Sequence, residues 1–181
     1  MGGAPFEATF PYTLSVVPLF LMMGVFAAHA GLSGSLYQGV NAFVGHMRGG
    51  LAMASIGACA GFGAICGSSL ATAATMCRVA LPEMRRHGYD DSLAAASIAA
   101  GGTLGVLIPP SILLVIYALL TEQSIGALFA AALIPGVVGT VLYMAAVWVQ
   151  VRRNPALGPA GKRHNWVERF TTLRAIWPVI L

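Results

Sequence analysis

The fold is decided by the stretch GSSLATAAT, residues 67–75, where glycine and hydroxyl side chains interrupt an apolar run. The stretch lies within residues 49–77, which contain no Asp, Glu, Lys or Arg. The surrounding segment, 50–87, can form either one long spanning helix or two half-helices that enter and leave the membrane on the same side. The positions of the charged residues decide between these two topologies.

Arginines mark both ends of this segment. If 50–87 crossed the membrane once, Arg48 would lie on one face and the pair Arg85 and Arg86 on the other. If the chain folds back at residues 67–69, all three arginines lie on the same face. Since basic loops are concentrated on the cytoplasmic side of membranes, the folded-back topology fits them better.

The downstream segments extend the same test. Residues 92–120 and 126–151 are each long and apolar enough to cross once, which places Glu122 on the opposite face. The chain then returns to the first face, where the basic residues are Arg152, Arg153, Lys162 and Arg163. With a fold at 67–69, every arginine and lysine of a loop lies on one side. The sequence therefore predicts a re-entrant helical hairpin at 50–87.

Composition also indicates a membrane protein. Hydrophobic residues make up 57% of the 181 residues and charged residues 9%, and the mean hydropathy is +0.79. A soluble domain carries about a quarter charged residues, and each of the charge-free stretches exceeds the roughly 20 residues that cross a bilayer. We therefore expect an all-α, polytopic integral membrane protein. The net charge of +4 comes from segment ends, which points to anionic membrane lipids as partners and not to nucleic acid.

The predicted membrane domain covers residues 1–154, and a cytoplasmic connector, 155–181, ends as a further apolar segment begins. We therefore expect the chain to be a piece of a larger protein. The predicted elements are a spanning helix at 12–30, an interfacial helix at 35–47, the hairpin at 50–87, a broken helix at 92–120 and a spanning helix at 126–151.

The interfacial helix is predicted from its length and periodicity. Residues 35–47 would form a helix of about 20 Å, too short to span a bilayer. Leu36, Val40 and Phe43 recur at helical spacing and are expected to contact acyl chains or protein, while Gln38 faces water. The alternative is a poor transmembrane helix.

A second polar segment, GGTLGVLIPPS at residues 101–111, predicts the break in the spanning segment 92–120. Pro109 and Pro110 remove backbone donors and disfavour helix in the preceding residue. Unwound backbone is tolerated in a membrane only where it is buried in protein or lines a cavity. Two breaks at similar depth, rich in hydroxyl and carbonyl oxygens, suit a hard monovalent cation.

Close packing is the competing interpretation, because small residues, Ser and Thr are common where transmembrane helices touch. For Thr72 and Thr75, four and seven residues after Ser68, packing and function both remain open. Ser68 and Ser69, taken with the second polar segment, favour a functional site.

Six motifs carry a resemblance to a known family: PLFLMMG at 18–24, GSSLATAATM at 67–76, LPEM at 81–84, RHGYD at 86–90, AAGGTLGVLIPPS at 99–111 and IPG at 134–136. In this combination and order they strongly resemble the large permease subunit of TRAP (tripartite ATP-independent periplasmic) transporters. The resemblance covers nearly the whole chain.

The resemblance implies an elevator-type transporter of two inverted halves, of which this chain supplies most of the first. It implies sodium-coupled uptake of a small organic acid, such as a C4-dicarboxylate, across the bacterial inner membrane, with no organic cofactor and no other metal. The implied partners are a small membrane subunit and a periplasmic solute-binding protein. The implied sodium site comprises Ser68, Ser69, Gly102, Gly105 and Pro109, and the implied substrate cavity comprises Thr72, Thr75, Thr103 and Ser111.

Three other functions fit parts of this sequence pattern. A sodium/dicarboxylate symporter that needs no binding protein has related architecture. An intramembrane serine hydrolase using Ser68 or Ser69 would need a general base within hydrogen-bond reach, and no His or Lys lies at comparable depth in the apolar segments. A passive channel would need a continuous polar pore in place of two compact segments. The sequence therefore predicts a transporter and not an enzyme.

Overall fold

The structure, a computed structural model, describes residues 16–161, and this part of the chain is helical without a named strand. The expectation of an all-α membrane protein is confirmed. The helices are α1 Val16–His29, α2 Leu32–Val44, α3 Gly50–Cys66, α4 Ser69–Arg86, α5 Asp91–Leu107, α6 Ile112–Leu120 and α7 Ile125–Arg153, followed by a 3-10 turn at Pro155–Leu157. The start of the predicted spanning helix 12–30 and most of the predicted connector 155–181 lie outside the described residues.

Helices α3 and α4 form an antiparallel hairpin. The amide of Leu51, near the start of α3, lies 3.2 Å from the hydroxyl of Tyr89, just after α4. One turn further in, Ser55 Oγ lies 3.9 Å from Met84 Sδ. The start of the first arm therefore lies beside the end of the second. Helix α3 is the centre of the bundle, because it packs against α1, α2, α4, α5 and α7.

The segment after the hairpin is an interrupted span followed by a continuous one. Residues Asp91–Leu120 and Ile125–Arg153 are both long and apolar enough to cross a membrane. Within the first, α5 ends at Leu107 and α6 begins at Ile112, and residues 108–111 between them are termed the break. The helix stops there because Pro109 and Pro110 cannot donate the next backbone hydrogen bonds. The peptide bond between the two prolines is cis.

Helix α2 packs lengthwise against α3. A Cβ added at Gly61 would lie 3.5 Å from a methyl carbon of Leu36, and one added at Gly57 would lie 2.8 Å from Val40 Cγ1. Residue numbers rise along α2 as they fall along α3, so the two helices are antiparallel. A pair of side chains inserted against glycines in this way brings the two backbones close together.

The helix predicted at 35–47 is present at Leu32–Val44, and its interfacial position in a membrane stays a prediction. The helix is bent by 65° from α1 and packs antiparallel against α3. Gln38 is exposed, whereas Tyr37 is 3% exposed and belongs to the core. Glycines of α3 accept Leu36 and Val40 of this helix, a contact that hydrophobic periodicity alone does not indicate.

The chain after α7, residues 154–161, crosses the base of the hairpin and is termed the strap. It is fastened by backbone groups on both sides of the hairpin. The hydrogen bonds run from Gly49 N to Gly158 O (3.1 Å), from Asp90 N to Leu157 O (3.1 Å) and from Gly161 N to Gly45 O (3.1 Å), and Arg48 pairs with Ala160 in an antiparallel bridge. The end of α7 is thereby tied to both arms.

Tyr89 joins the strap to the hairpin. Its hydroxyl accepts a hydrogen bond from the Leu51 amide and donates one to the Pro159 carbonyl at 2.9 Å. The ring is 6% exposed, and a Cβ added at Gly158 would lie 3.1 Å from its Cε1 atom. One side chain therefore satisfies a donor in the first turn of α3 and an acceptor in the strap.

The charged residues of the loops separate to two ends of the bundle. The end that carries the strap holds Arg48, Arg85, Arg86, Arg152 and Arg153. Glu122 lies in the turn between α6 and α7, at the other end of a 29-residue helix that is about 43 Å long. The predicted one-sided clustering of arginines is therefore present within residues 16–161.

Replacing Tyr89 by Phe should loosen the base of the hairpin. Tyr89→Phe removes both hydrogen bonds and leaves the Leu51 amide without its partner, at a cost of roughly 1–3 kcal/mol. Hydrogen exchange followed by mass spectrometry should show faster exchange at the start of α3 and in the strap. Tyr143→Phe is the matched control, because among residues 16–161 that hydroxyl meets only Thr103 Oγ1, at 3.3 Å. Equal exchange in the two variants would contradict the role of Tyr89.

Candidate functional site

The hairpin tip, Gly67–Ser69, is built by a helix stop followed at once by a helix start. Gly67 ends α3 in the left-handed conformation (φ +63°), and its amide donates to the Gly63 carbonyl at 2.8 Å. Ser68 is extended, and its hydroxyl accepts from the Ala71 amide at 3.5 Å as the cap of α4. Glycine and serine are the residues that these two conformations favour.

The tip docks directly on the break in the α5–α6 segment. The amide of Ile112 donates to the Gly67 carbonyl at 3.2 Å. A Cβ added at Gly67 would lie 2.9 Å from the Pro110 carbonyl oxygen. The two interruptions that the sequence places far apart therefore cover each other.

Helix α5 approaches the tip through two glycines. A Cβ added at Gly105 would lie 2.7 Å from Thr72 Oγ1 and 3.0 Å from the Ser68 carbonyl oxygen. One added at Gly102 would lie 2.7 Å from the Ala73 Cβ and 3.4 Å from the Ser69 carbonyl oxygen. The absence of side chains at these positions lets oxygen atoms of α4 lie against the α5 backbone.

Two hydroxyl groups near this contact are buried without a hydrogen-bond partner. Thr72 and Ser111 are both 0% exposed, and neither Thr72 Oγ1 nor Ser111 Oγ has a partner within residues 16–161. Leaving a buried hydroxyl unpaired costs roughly 1–3 kcal/mol. Such groups call for an explanation, and a ligand that they would bind is one.

The backbone adds further free acceptors. The carbonyls of Gly105 and Val106 would normally accept from residues 109 and 110, but both are prolines and carry no N–H group. The carboxyl ends of α3 and α5 meet here and carry partial negative charge, whereas the amino ends of α4 and α6 carry partial positive charge. The carboxyl ends of the helices therefore favour a cation at this site, and the amino ends favour an anion.

The structure brings together most of the predicted site residues but not all of them. Those gathered at the tip and the break are Ser68, Ser69, Thr72, Gly102, Gly105, Pro109 and Ser111. Thr75 is half-buried, one turn further along α4. Thr103 lies on the other side of α5, where its hydroxyl donates to the Ala100 carbonyl at 2.7 Å and meets the hydroxyl of Tyr143.

Sequence reasoning missed the contribution of Gly63. A Cβ added there would lie 2.5 Å from the Gly105 Cα atom, so the backbones of α3 and α5 touch directly below the tip. The available signal was the spacing of four residues between Gly63 and Gly67, which is typical of close helix contacts in membranes.

Gly67→Ala should destabilise the protein more than Gly31→Ala does. Both glycines have positive φ, +63° and +76°, so each alanine pays roughly 1–2 kcal/mol for the left-handed conformation. A Cβ at Gly31 meets nothing within 4 Å, whereas one at Gly67 also meets the Pro110 carbonyl. The free energy of unfolding in detergent titrations of the full-length protein would measure the difference. Equal losses would show that the tip does not press on the break.

The chain is similar to known transporter proteins. Residues 4–181 match the family described as the DctM component of the tripartite ATP-independent periplasmic transporter. The chain is 39% identical to the C4-dicarboxylate TRAP transporter large permease protein DctM of Pseudomonas aeruginosa, over 97% of this chain and 41% of that protein. It is 38% identical to the ectoine/5-hydroxyectoine TRAP transporter large permease protein UehC of Ruegeria pomeroyi, over 93% of this chain and 39% of that protein.

A more distant relative is the sialic acid TRAP transporter permease protein SiaT of Haemophilus influenzae, 34% identical over 93% of this chain and 27% of that protein. The chain thus spans about two fifths of the length of the DctM and UehC proteins. The names of these relatives are those of transporter permeases and not of enzymes, in agreement with the expectation from the sequence. With its family model matched over residues 4–181 and its helical hairpin docked on a broken helix, the chain belongs to the DctM family of TRAP transporter large permeases.

Proposed function

We propose that the contact between the hairpin tip and the break binds a sodium ion that drives uptake of a small organic acid. The observation that carries this proposal is the pair of buried, unpartnered hydroxyls, Thr72 Oγ1 and Ser111 Oγ, beside unwound backbone. They are the groups at this contact that gain most from an added ligand.

Sodium fits the chemistry of these groups. A sodium ion loses its hydration shell on entering a buried site, so the protein has to supply oxygen atoms in compensation. The candidate oxygens are the Ser68 carbonyl and the Thr72 hydroxyl on α4, with the carbonyls of Gly105 and Val106 on α5. The carboxyl ends of α3 and α5 add partial negative charge, and broken helices supply such ends to coupling ions in other transporters.

An organic acid fits the amino ends of the helices at the same contact. The amino ends of α4 and α6 present backbone N–H groups, and Ser111, at the start of α6, makes no side-chain capping bond. Such helix ends favour carboxylates. The relatives are named for C4-dicarboxylates, ectoine and sialic acid. We therefore propose a small organic acid, with C4-dicarboxylates as one candidate class.

Binding of sodium and binding of substrate would be coupled, because the two proposed sites adjoin. A cation held between α4 and α5 would offset the charge of a carboxylate bound at the neighbouring helix ends. The same cation would hold the tip against the break, which the present contacts do through the hydrogen bond between Gly67 and Ile112. Sodium and substrate would thus each favour the conformation that binds the other.

Hydrolysis by a serine nucleophile is disfavoured at this site. The Ser68 hydroxyl caps α4 through the Ala71 amide. Within residues 16–161 there is no lysine, and no histidine hydrogen-bonds to Ser68 or Ser69. A serine without a base is a weak nucleophile.

The family name also supports a proposal for the partners. A tripartite transporter of this family would pair the permease with a small membrane subunit and a periplasmic solute-binding protein in the bacterial inner membrane. A symporter that works without a binding protein is the alternative. Uptake that proceeds undiminished without any secreted binding protein would favour that alternative.

Removing the unpartnered hydroxyls should weaken the dependence of uptake on sodium. In the full-length permease, reconstituted with its partners, Thr72→Val and Ser111→Ala should each raise the sodium concentration for half-maximal uptake by roughly tenfold. Thr103→Val is the matched control, because that hydroxyl lies on the far side of α5. Ser68→Ala should change little, because its carbonyl and not its hydroxyl lies against α5. Parental sodium curves in folded Thr72→Val and Ser111→Ala proteins would contradict the proposal.

The orientation of the hairpin is tested by labelling. In a background in which Cys59, Cys66 and Cys77 are replaced, single cysteines at Arg48, His87 and Arg153 should react with an impermeant maleimide only from the cytoplasmic side. A cysteine at the exposed Gln123 should react only from the periplasmic side. The reason is that both ends of the hairpin lie at the arginine-rich end of the bundle. Labelling of Arg48 and His87 positions from opposite sides would rule out a re-entrant hairpin.

A further inference from the structure

The last two turns of α7 carry a cation on an aromatic ring. The guanidinium carbon of Arg152 lies 3.9 Å from the centre of the Trp148 ring, four residues earlier on the same helix. Both side chains are exposed, Trp148 by 36%. Stacking fixes the guanidinium in one position while its N–H groups remain available.

Two further arginines, Arg48 and Arg153, lie at the same end of α7. A Cβ added at Gly49 would lie 2.9 Å from Val151 Cγ2, so the turn that contains Arg48 touches the end of α7 beside Arg152. Arg48 and Arg153 are exposed. Among residues 16–161, the salt bridges involve Arg85, Arg86 and His87 and leave these arginines out. The cluster of Arg48, Arg152 and Arg153 is therefore a concentration of positive charge that the described acidic residues do not neutralise.

An apolar stripe leads directly to this cluster. Val141, Ala145, Trp148 and Arg152 recur at four, three and four residues, so they lie on one face of α7. Val141 is 59% exposed, and Ala145 is exposed as well. A continuous row of exposed apolar side chains thus ends at a tryptophan and then at an arginine.

The level of the cluster in a membrane follows from the length of α7. The helix is about 43 Å long, whereas the hydrocarbon core of a bilayer is about 30 Å thick. Its terminal turns therefore reach beyond the hydrocarbon core. Tryptophan is enriched at this boundary, where the headgroups begin.

We propose that this surface binds an anionic phospholipid, with the phosphate against Arg152 and Arg48 and an acyl chain along the stripe from Trp148 to Val141. Charge complementarity selects the headgroup, and the apolar stripe distinguishes a lipid from a soluble phosphate. The binding site lies away from the hairpin tip, at the end of the bundle that carries the strap. It does not depend on the proposed sodium site.

Trp148 itself can report the lipid. In the complete permease, with every other tryptophan replaced by phenylalanine, the protein is reconstituted into bilayers that contain brominated phosphatidylglycerol or brominated phosphatidylcholine. Bromine quenches tryptophan only at short range, so the ratio of quenching by the two lipids measures headgroup preference beside Trp148. We expect stronger quenching by phosphatidylglycerol.

The variants assign that preference to the arginines. Arg152→Gln and Arg48→Gln should each lower the preference by roughly fivefold, because one cation near an anionic headgroup is removed. Arg152→Lys keeps the charge and should retain most of the preference. Arg85→Gln is the matched control, because Arg85 is already neutralised by Asp91 through two hydrogen bonds of 2.7 and 3.1 Å.

Three results would overturn the proposal. Equal quenching by the two lipids would show that the headgroup is not selected. Absence of quenching by either lipid would show that another part of the transporter covers the stripe. Loss of the preference on addition of soluble glycerol phosphate would assign the cluster to free phosphates instead of lipid.

Discussion

The rest of the structure depends on one constraint: unwound backbone in a membrane must be covered by protein. Residues 108–111 cannot continue a helix because of Pro109 and Pro110, and the chain reverses at Gly67 and Ser68. Neither interruption can be exposed to lipid. Each covers the other, through the hydrogen bond between Ile112 and Gly67 and through the glycines of α5 that admit the oxygens of α4.

This mutual cover explains the different character of the two ends of the hairpin. The base is closed by the strap and by Tyr89, and its backbone hydrogen-bonding groups have protein partners. The tip is close-packed, but Thr72 and Ser111 retain buried hydroxyls without partners. Buried polar atoms without partners also lie toward the base, at Tyr37, Asn41 and His46, so what distinguishes the tip is that its unpaired hydroxyls lie beside unwound backbone. The proposed sodium site rests on these two hydroxyls and the carbonyls beside them.

The charged residues lie apart from the core of the bundle. They do not contribute to the core, which is formed by small and apolar side chains around α3. The arginines of the loops lie at one end of the bundle, where some pair with acidic residues and others remain exposed near Trp148. The same arginines that indicate orientation in the sequence therefore also form the surface assigned here to anionic lipid.

Much of this architecture was predictable from local sequence. The lengths of the charge-free stretches determine that the chain is a helical membrane protein, and two adjacent prolines determine a helix break wherever they occur. The arginines at Arg48, Arg85 and Arg86 predict a hairpin because net positive loops gather on one side. These features depend on composition and on the chemistry of single residues, so no knowledge of distant contacts is needed.

Only the tertiary structure decided which residues meet. Thr72 and Thr103 are both threonines in apolar helices, yet one lies buried at the tip and the other pairs with Tyr143 on the far side of α5. The lengthwise packing of α2 on α3 and the contact of Gly63 with Gly105 were likewise not readable, because both depend on the surface offered by a helix distant in sequence. Periodicity states that a helix has an apolar face. The direction of that face is set by which neighbour fits it most closely, and this fit exists only in the folded protein.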